Sequence, residues 1–374
     1  MTGPARQTET DEASAAFHVA LTQIGAQTTA EALTLWANVP TTLRAETAGG
    51  WLRQAITLVM SRRRQARDLA RAYFRLARAL QTGTTVADPY HPEPSYVTLG
   101  DLRREFAALA GTTAPPSSQG GGEAATGESG EVSPPPVAEE FDEEPDAPAG
   151  GGVEEGQEPD DDTDDWEQVL VEELEGLRAE EERVEREAED ELRTVLEALG
   201  TRNLDRRLAD VDSLQPARDA DAARAAAHRQ AGAQQAAASA RVAMNGARSS
   251  TWTHMRRDRR SLGYVRLSRS GTPCGWCAML ISRGPVYKSR ASATFGDGDR
   301  YHDNCHCYAM PIWSWGQYES SELTALSRQY ESLWPKVTKG HTGKDAVSVW
   351  RRFIRQQQRT SAQQARTATT TPEA

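Results

Sequence analysis

All four cysteines of this 374-residue chain lie in a single window of 34 residues. The window begins with the turn Cys274-Gly-Trp-Cys277 and ends, after 24 intervening residues, with His302-Asp-Asn-Cys305-His-Cys307. A CxxC turn that supplies two thiolates, followed at a distance by a second group of Cys and His, is the usual layout of a tetrahedral zinc site. The spacing therefore predicts a metal centre that ties two distant parts of the chain together.

The window offers more potential ligands than the four that zinc takes. We expect the metal ligands to be Cys274, Cys277, His302 and Cys305, with Cys307 and His306 as alternates. A zinc ion in this position would be structural, because it would close a small domain that buries little apolar surface by itself.

Two other interpretations of the cysteines stay open. Four cysteines can form two disulfides, but the N-terminal segment lacks the order of a secretion signal, so we expect synthesis in the reducing cytoplasm. A cysteine beside a histidine can also act as a thiol nucleophile with its base, and the candidates are Cys305, Cys307 and His302. Sequence neighbours are rarely catalytic partners, so the structural metal site is favoured.

The composition indicates a chain that is not compact throughout. Hydrophobic residues make up 38% and aromatic residues 6% of the chain, and the mean hydropathy is −0.66. No run of 18 apolar residues is present, so no membrane-spanning helix is expected. The net charge is −11, but residues 112–165 alone hold 17 Asp or Glu and no Lys or Arg, which leaves +6 for the remainder.

Residues 112–165 are predicted to be an acidic disordered linker, because their Pro, Gly, Ser and acidic content cannot bury enough surface to fold. Residues 1–111 are predicted to be a helical module, with apolar residues at helical spacing and arginines on the other faces. In this module Thr98 precedes the last helix and Gly111 ends it.

Residues 166–250 predict long charged and Ala-rich helices, with a helix end at Gly200 and another near Gly246. Residues 251–316 predict a compact Cys/His domain. Within it, Gly263–Leu267 should form a short strand, CGWC should open a short helix, and the segment from Met310 to Trp315 should form a closing strand.

Helices are expected again over residues 317–358, interrupted at Pro335, followed by a disordered tail over 359–374. The predicted fold class is mainly α with a small α+β C-terminal domain, which the metal site would stabilise.

The stretch between Trp252 and Ser270 is the most basic part of the chain. A solvated helix face is favoured, because aromatic residues do not alternate with the arginines as they do in proteins that bind single strands. The alternative is contact with DNA phosphates through Arg256, Arg257, Arg259 and Arg260.

The segment from Tyr264 to Pro311 resembles the MuF-like head morphogenesis (minor capsid) proteins of tailed bacteriophages. The resemblance lies in CGWCAMLISRGPVYKS (274–289), the Gly-rich excursion after Phe295, and YHDNCHCYAMP (301–311). It is closest to the actinobacterial-phage branch often designated capsid maturation protease. The resemblance covers a small part of the chain, and the acidic linker has no counterpart in it.

The resemblance implies a protein that acts in procapsid assembly with the portal, scaffold and major capsid proteins. Such a protein would be in the host cytoplasm during assembly and afterwards in the virion head. The resemblance also implies a peptidase activity, but the sequence has neither a GxSxG frame nor an HExxH motif. The catalytic residues of such an activity are therefore unknown beyond the candidates Cys305, Cys307 and His302.

Overall fold

The structure, a computed structural model, describes residues 3–41, 48–90, 97–112, 163–214, 217–268, 273–286, 305 and 307–369. Most of these residues are helical, and a two-stranded antiparallel sheet lies toward the C-terminus of the described part. This confirms the predicted fold class. The predicted acidic linker lies outside the described residues, except for Thr112 and the start of the helix at Thr163.

The helices and strands follow one another along the chain in three groups. The first group is α1 (Pro4–Ala37), α2 (Gly49–Thr82) and α3 (Leu99–Ala110). The second is α4 (Thr163–Leu196), α5 (Arg202–Leu214) and α6 (Ala217–Arg257). The third is β1 (Gly263–Leu267), α7 (Gly275–Ile281), β2 (Tyr308–Ile312), α8 (Trp315–Ser320), α9 (Ala325–Val337) and α10 (Gly343–Thr369).

Residues 1–114 and 174–374 form one compact unit, in which α1, α2 and α6 pack on one another. The apolar stripes predicted for α1 and α2 lie in its core, where the rings of Phe17 and Tyr73 stack at 4.5 Å. Helix α3 packs on α2, and it begins and ends where the sequence predicts. Thr98 and Asp101 form a capping box at its start, and Gly111 ends it with a left-handed φ of 66°.

The helix that was expected to stop at Gly200 continues through it. A π-helical turn, Glu197–Thr201, carries α4 directly into α5. A Cβ atom on Gly200 would lie 2.7 Å from Cη2 of Trp51, so the glycine provides space for a ring rather than a helix end. The predicted end near Gly246 is wrong for the same reason, because α6 runs on to Arg257 and Gly246 packs against the backbone of Arg63.

Not all of the arginines predicted for the other faces of α2 are at its surface. Arg63, Arg71, Arg75 and Arg78 are buried. Each of them is paired with an acid from another part of the fold: Arg63 with Glu185 at 3.0 Å, Arg71 with Asp88 at 3.2 Å, Arg75 with Glu105 at 2.8 Å, and Arg78 with Asp258 at 2.9 Å. Each acid gives the buried guanidinium a counter-charge, which offsets part of the hydration that the guanidinium loses on burial.

The two predicted strands form, and they pair antiparallel from Gly263 opposite Ile312 to Leu267 opposite Tyr308. Strand β2 begins two residues earlier than predicted and ends at Ile312, and Trp315, predicted as its last residue, instead begins α8. The sheet packs on α6, and the ring of Tyr308 lies 4.5 Å from the ring of His18 on α1. The C-terminal sheet therefore shares its core with the N-terminal helices.

Helix α9 continues through Pro335 to Val337, so the interruption expected at Pro335 is instead formed by the residues that follow. Gly340 and Gly343 there have φ of 81° and 52°, which permits the turn into α10. Helix α10 runs on to Thr369, so the disordered tail predicted from residue 359 is wrong over residues 359–369. Helix α10 then packs on α7, with Trp350 fully buried among Tyr330, Trp334 and Phe353. Within the described part, no helix is both long and apolar enough to cross a membrane.

Candidate metal centre

The CxxC turn forms the start of α7. Cys274 is the N-cap residue, and its Sγ accepts a hydrogen bond from the backbone N–H of Cys277 at 3.4 Å. This bond fills the capping role that an oxygen of Ser or Asp usually has at a helix start. The turn therefore presents two sulfurs at one helix end, with Cys274 exposed and Cys277 buried.

Gly275, between the two cysteines, allows the C-terminal helix to approach the turn closely. A Cβ atom at this position would lie 3.0 Å from Cγ and 3.1 Å from Cα of Arg351 on α10. The guanidinium of Arg351 lies over the ring of Trp276, and Gln358 donates a hydrogen bond to the carbonyl of Pro273 at 2.9 Å. Helix α10 thus supports the CxxC turn from outside.

Three of the four cysteines come together in the interior. The Sγ atoms of Cys277, Cys305 and Cys307 all lie within 4.8 Å of one another, and the Cys277–Cys305 distance is 3.5 Å. The three residues are only 2%, 5% and 3% exposed, and all four cysteines are free thiols. The cluster joins the first turn of α7 to the residues that lead into β2.

The pairing of the sheet explains how residues far apart in the sequence meet. Cys307 directly precedes Tyr308, which pairs with Leu267 at the end of β1. Helix α7 packs on β1 and carries Cys277, whose Sγ lies within 4.8 Å of the Sγ atoms of Cys305 and Cys307.

Two buried arginines lie beside the cluster. Arg266, the last residue but one of β1, directs Nη2 at Sγ of Cys305 at 3.7 Å. Arg248, on α6, donates from Nη2 to the carbonyls of Cys305 at 2.7 Å and Cys307 at 3.0 Å. Arg248 is held in turn by Asn245, whose Oδ1 accepts from Nη1 at 2.9 Å.

The surroundings favour an ionised sulfur at Cys305. Hydrogen bonds from Cys277 and Cys307 lower the pKa of the Cys305 thiol, and the charges of Arg248 and Arg266 act in the same direction. The hydrogen bonds of Cys274, Cys305 and Cys307 raise the pKa of Cys277 instead. The cluster therefore shares negative charge unevenly, as closely spaced titrating groups do.

The donor set fits a metal ion. Three buried sulfurs within 4.8 Å of one another can ligate one soft or borderline cation, and thiolates are the ligands of structural zinc. A fourth donor would complete a tetrahedron, and Cys274 is one turn away on α7. Such a centre would act as a staple, because its ligands come from two separated segments.

The same burial is unfavourable for a thiol peptidase. A nucleophilic cysteine has to reach the carbonyl carbon of a peptide substrate, and reactive cysteines are partly exposed. Cys305 and Cys307 are covered, and their sulfurs face Cys277.

The predicted metal ligands fall into three groups in the structure. The structure brings Cys277, Cys305 and Cys307 together, so the alternate Cys307 belongs to the cluster, while Cys274 is exposed at its edge. His302 and His306 lie outside the described residues. Arg248 and Arg266 were not predicted from the sequence, because neither residue is adjacent to the Cys window and no spacing relates them to it.

The arginines proposed for DNA contact lie at the end of α6 and just beyond it. Arg256 and Arg257 both bond the carboxylate of Glu180 on α4, and Arg257 also donates to the carbonyl of Gly176 at 3.1 Å. Arg259 and Arg260 are exposed. Part of the positive charge of this stretch is therefore already matched by an acid of the same chain.

A concave region of about 280 Å³ lies between α2 and α4, away from the cysteines. Its charged lining consists of Arg64, Arg67, Glu182, Glu185, Arg186 and Glu189. Three cations and three anions balance one another, so the region offers no net charge to a phosphate or to a metal ion.

Comparison with known proteins gives one family. Residues 190–333 match the model of a family described as VG15 protein. The matched segment begins in α4, ends in α9 and contains all four cysteines together with Arg248 and Arg266. No curated protein matches the chain, and no solved structure matches it. Over residues 190–333, less than half of its length, the chain is therefore similar to a family of phage-associated proteins.

Proposed function

We propose that this chain is a head morphogenesis protein of a tailed phage or prophage, similar to MuF-like minor capsid proteins. It would act in procapsid assembly with the portal, scaffold and major capsid proteins. The support comes from two sources that fall on the same residues. The family match over 190–333 indicates a phage-associated protein, and the MuF-like resemblance lies inside that segment, from Tyr264 to Pro311.

The observation that carries the proposal is the cluster of Cys277, Cys305 and Cys307. The two motifs on which the resemblance depends, CGWC and HDNCHC, are the segments that the cluster joins. We propose that the cluster holds zinc, because a reduced cytoplasmic chain with clustered buried thiolates binds zinc readily and zinc has no redox chemistry of its own. The ion would stabilise the packing of the sheet and α7 against the helical body, that is, against helices α1 to α6.

The helical body is suited to assembly contacts. Helices α4, α5 and α6 have charged outer faces, with exposed pairs such as Arg183–Glu187 and Arg224–Asp212. Exposed ion pairs contribute little to stability. Because little stability depends on these pairs, their side chains can exchange them for contacts with another protein. A subunit that joins a larger shell needs such contacts.

The test is co-expression with the portal, scaffold and major capsid proteins of the same phage, followed by purification of procapsids. We expect the chain to sediment with procapsids at a few copies per particle. The Cys277→Ser variant should be incorporated less, whereas Arg259→Ala, a change at an exposed position, should be incorporated like the wild type. Procapsids that form normally and never contain the wild-type chain would contradict the assembly role.

A capsid maturation protease is the alternative that the resemblance suggests. It would use Cys305 or Cys307 as nucleophile and His302 as base, and it would cleave head proteins. Burial of both cysteines makes this alternative the weaker one. It predicts that processing of co-expressed head proteins stops in Cys305→Ala, Cys307→Ala or His302→Ala, and processing that continues in all three would exclude these residues.

A nucleic-acid-binding role through Arg256, Arg257, Arg259 and Arg260 is less supported still, because Glu180 bonds the first two. Binding through phosphate contacts should weaken steeply as salt is added. A flat salt response would reject it.

A further inference from the structure

The two arginines at the cluster come from different parts of the fold and meet at the same cysteines. Arg266 is on β1, opposite Ala309 of β2, and Arg248 is on α6. They are 1% and 3% exposed. Their nearest described contacts with the cluster are Sγ of Cys305 and the carbonyls of Cys305 and Cys307.

A buried guanidinium loses its hydration, and the loss is offset only when negative charge lies close to it. Neutral thiols and carbonyl dipoles supply part of that compensation. Ionised sulfurs supply more, and ligands of a metal ion must be ionised. Two cations directed at one cluster therefore indicate a site that carries excess negative charge when it is loaded.

The amount of excess charge depends on the ligand set. A divalent ion with three thiolates and one neutral imidazole leaves a single negative charge, whereas a divalent ion with four thiolates leaves two. Two guanidiniums match the second case. The sulfur available as the fourth ligand is Cys274, which already lies at the start of α7 with its Sγ 3.4 Å from the backbone nitrogen of Cys277.

We propose that the centre is a four-thiolate site formed by Cys274, Cys277, Cys305 and Cys307, and that Arg248 and Arg266 balance its two excess negative charges. Cys274 is the exposed ligand that closes the site after the ion has entered. Arg248 and Arg266 are positioning residues, since they act through the ligands. The proposal replaces His302 as a ligand, and it rests on the metal-binding part of the proposed function, not on the assembly role.

The ligand set can be tested with the full chain loaded with Co²⁺, whose sulfur-to-metal charge-transfer absorption increases with the number of bound thiolates. We expect Cys274→Ser to reduce this absorption by about a quarter, which is one thiolate of the four in a tetrahedral site. His302→Ala and His306→Ala should leave it unchanged. A normal spectrum in Cys274→Ser together with an altered one in either histidine variant would overturn the proposal.

The role of the arginines can be tested by zinc affinity, measured by competition with a chromogenic chelator. Arg266→Met and Arg248→Met keep an unbranched side chain close to the length of the arginine's aliphatic part and remove the charge. We expect each to weaken zinc binding about 10- to 100-fold, as the loss of partners behind metal ligands does. Arg259→Met, at an exposed position of the same basic stretch, is the matched control and should bind as the wild type does.

A double-mutant cycle separates charge from general damage to the fold. Cys274→His lowers the negative charge of the loaded site by one, so Arg266→Met should cost less affinity in that background than in the wild type. Equal losses in both backgrounds would overturn the charge-balance role.

If the Met variants do not fold, Arg266→Lys and Arg248→Lys replace them. The lysine variants keep the positive charge, so a loss of zinc affinity of about 100-fold in them would also contradict the charge-balance role.

The outcomes also distinguish this proposal from the proposed function. Dependence of metal binding on His302 would remove the four-thiolate site but leave a metal-bearing assembly protein intact. Absence of the chain from procapsids would remove the assembly role, whatever the cobalt spectrum.

Discussion

The indole ring of Trp36 lies directly against Gly232, where a Cβ atom would be 2.7 Å from Nε1 of the ring. Gly200 approaches the opposite part of the ring, and a Cβ there would lie 3.3 Å from Cζ3. The ring nitrogen donates to the carbonyl of His228 at 2.9 Å. Gly200, in the π-helical turn before α5, and Gly232, on α6, thus allow one tryptophan of α1 to enter between them.

We expect Gly232→Ala to lower the free energy of unfolding by about 1–3 kcal/mol, because overpacking forces a well-fitted ring to move. Better helix propensity of Ala, worth up to about 1 kcal/mol, would offset part of this loss. Chemical denaturation at fixed zinc concentration measures the change. Gly50→Ala is the matched control, since Gly50 is also helical but has no atom within 4 Å of the added Cβ. Gly50→Ala should be neutral or stabilising, and equal destabilisation of both variants would contradict the packing argument.

Asp258 connects the end of α6 to α2 and to the residue after β2. Its Oδ2 accepts from Arg78 Nε at 2.9 Å and from Trp313 Nε1 at 2.7 Å. Replacing it with Asn leaves the buried guanidinium of Arg78 without its counter-charge, so Asp258→Asn should cost about 3 kcal/mol of stability. Thermal and denaturant unfolding measure the cost. Asp212→Asn, which breaks an exposed pair with Arg224, should give little measurable change.

Asp258 should also contribute to acid sensitivity. Burial by itself raises the pKa of this carboxyl, but hydrogen bonds from Arg78, Trp313 and the backbone N–H of Arg260 hold the pKa below its ordinary value. Its stabilising effect is therefore present above the unfolded pKa of about 3.9 and is lost as the pH falls through the folded value. The Asp258→Asn variant should lack this part of the acid transition.

His254 predicts a second dependence on pH, in a higher range. Burial lowers the pKa of His254 to about 4, and the positive charges of Arg71 and Arg75 act in the same direction. Between about pH 6.5 and pH 4 the unfolded chain binds a proton that the folded chain does not, so stability falls on acidification by up to ~3 kcal/mol. Asp88 and Glu181 also lie near the ring, and burial raises the pKa of Glu181, which acts in the opposite direction.

Comparison of the wild type with His254→Gln isolates the histidine, because other titrating groups, including the cysteines, are present in both proteins. We expect the free energy of unfolding of the variant to change less between pH 7 and pH 4. Parallel curves for the two proteins would show that His254 does not contribute.

Removal of the proposed metal ion should destabilise one region of the structure and not the whole fold. A chelator should lower the melting temperature and make Cys277, Cys305 and Cys307 reactive toward thiol reagents. An ion present at about 1,000 times its dissociation constant stabilises the folded state by about 4 kcal/mol. Hydrogen exchange should accelerate in α7 and β2 more than in α1 and α2.

Cys277→Ser is the control, since its melting temperature should no longer respond to the chelator. Identical melting curves of the wild type with and without chelator would count against a bound metal.

Glycine is the residue type for which the sequence was least informative. Gly111 does end a helix, with a left-handed φ, as its position suggested. Gly200 and Gly246 resembled it in the sequence but lie inside continuous helical segments, where they make room for Trp51 and for the backbone of Arg63. A local pattern does not distinguish these cases, because a missing Cβ serves backbone freedom and close packing equally well.

The arginines of α2 show that a local pattern does not distinguish a buried charge from an exposed one either. Arg71 and Arg75 are spaced as residues of a polar face would be, yet both are buried, because Asp88 and Glu105 reach them after the chain has turned back. Their partners lie 17 and 30 residues away in the sequence.

The sequence by itself determined the helical periodicity, the cap of α3, the two strands and the gathering of all cysteines into one window, because each depends on residues close together in the chain. Only the tertiary structure decided that Cys307 joins Cys277 and Cys305, and that Arg248 and Arg266 lie beside them. The physical reason is the antiparallel pairing of β1 with β2 and their packing on α6. These contacts bring together sulfurs and guanidiniums whose separation along the chain contains no signal of their proximity.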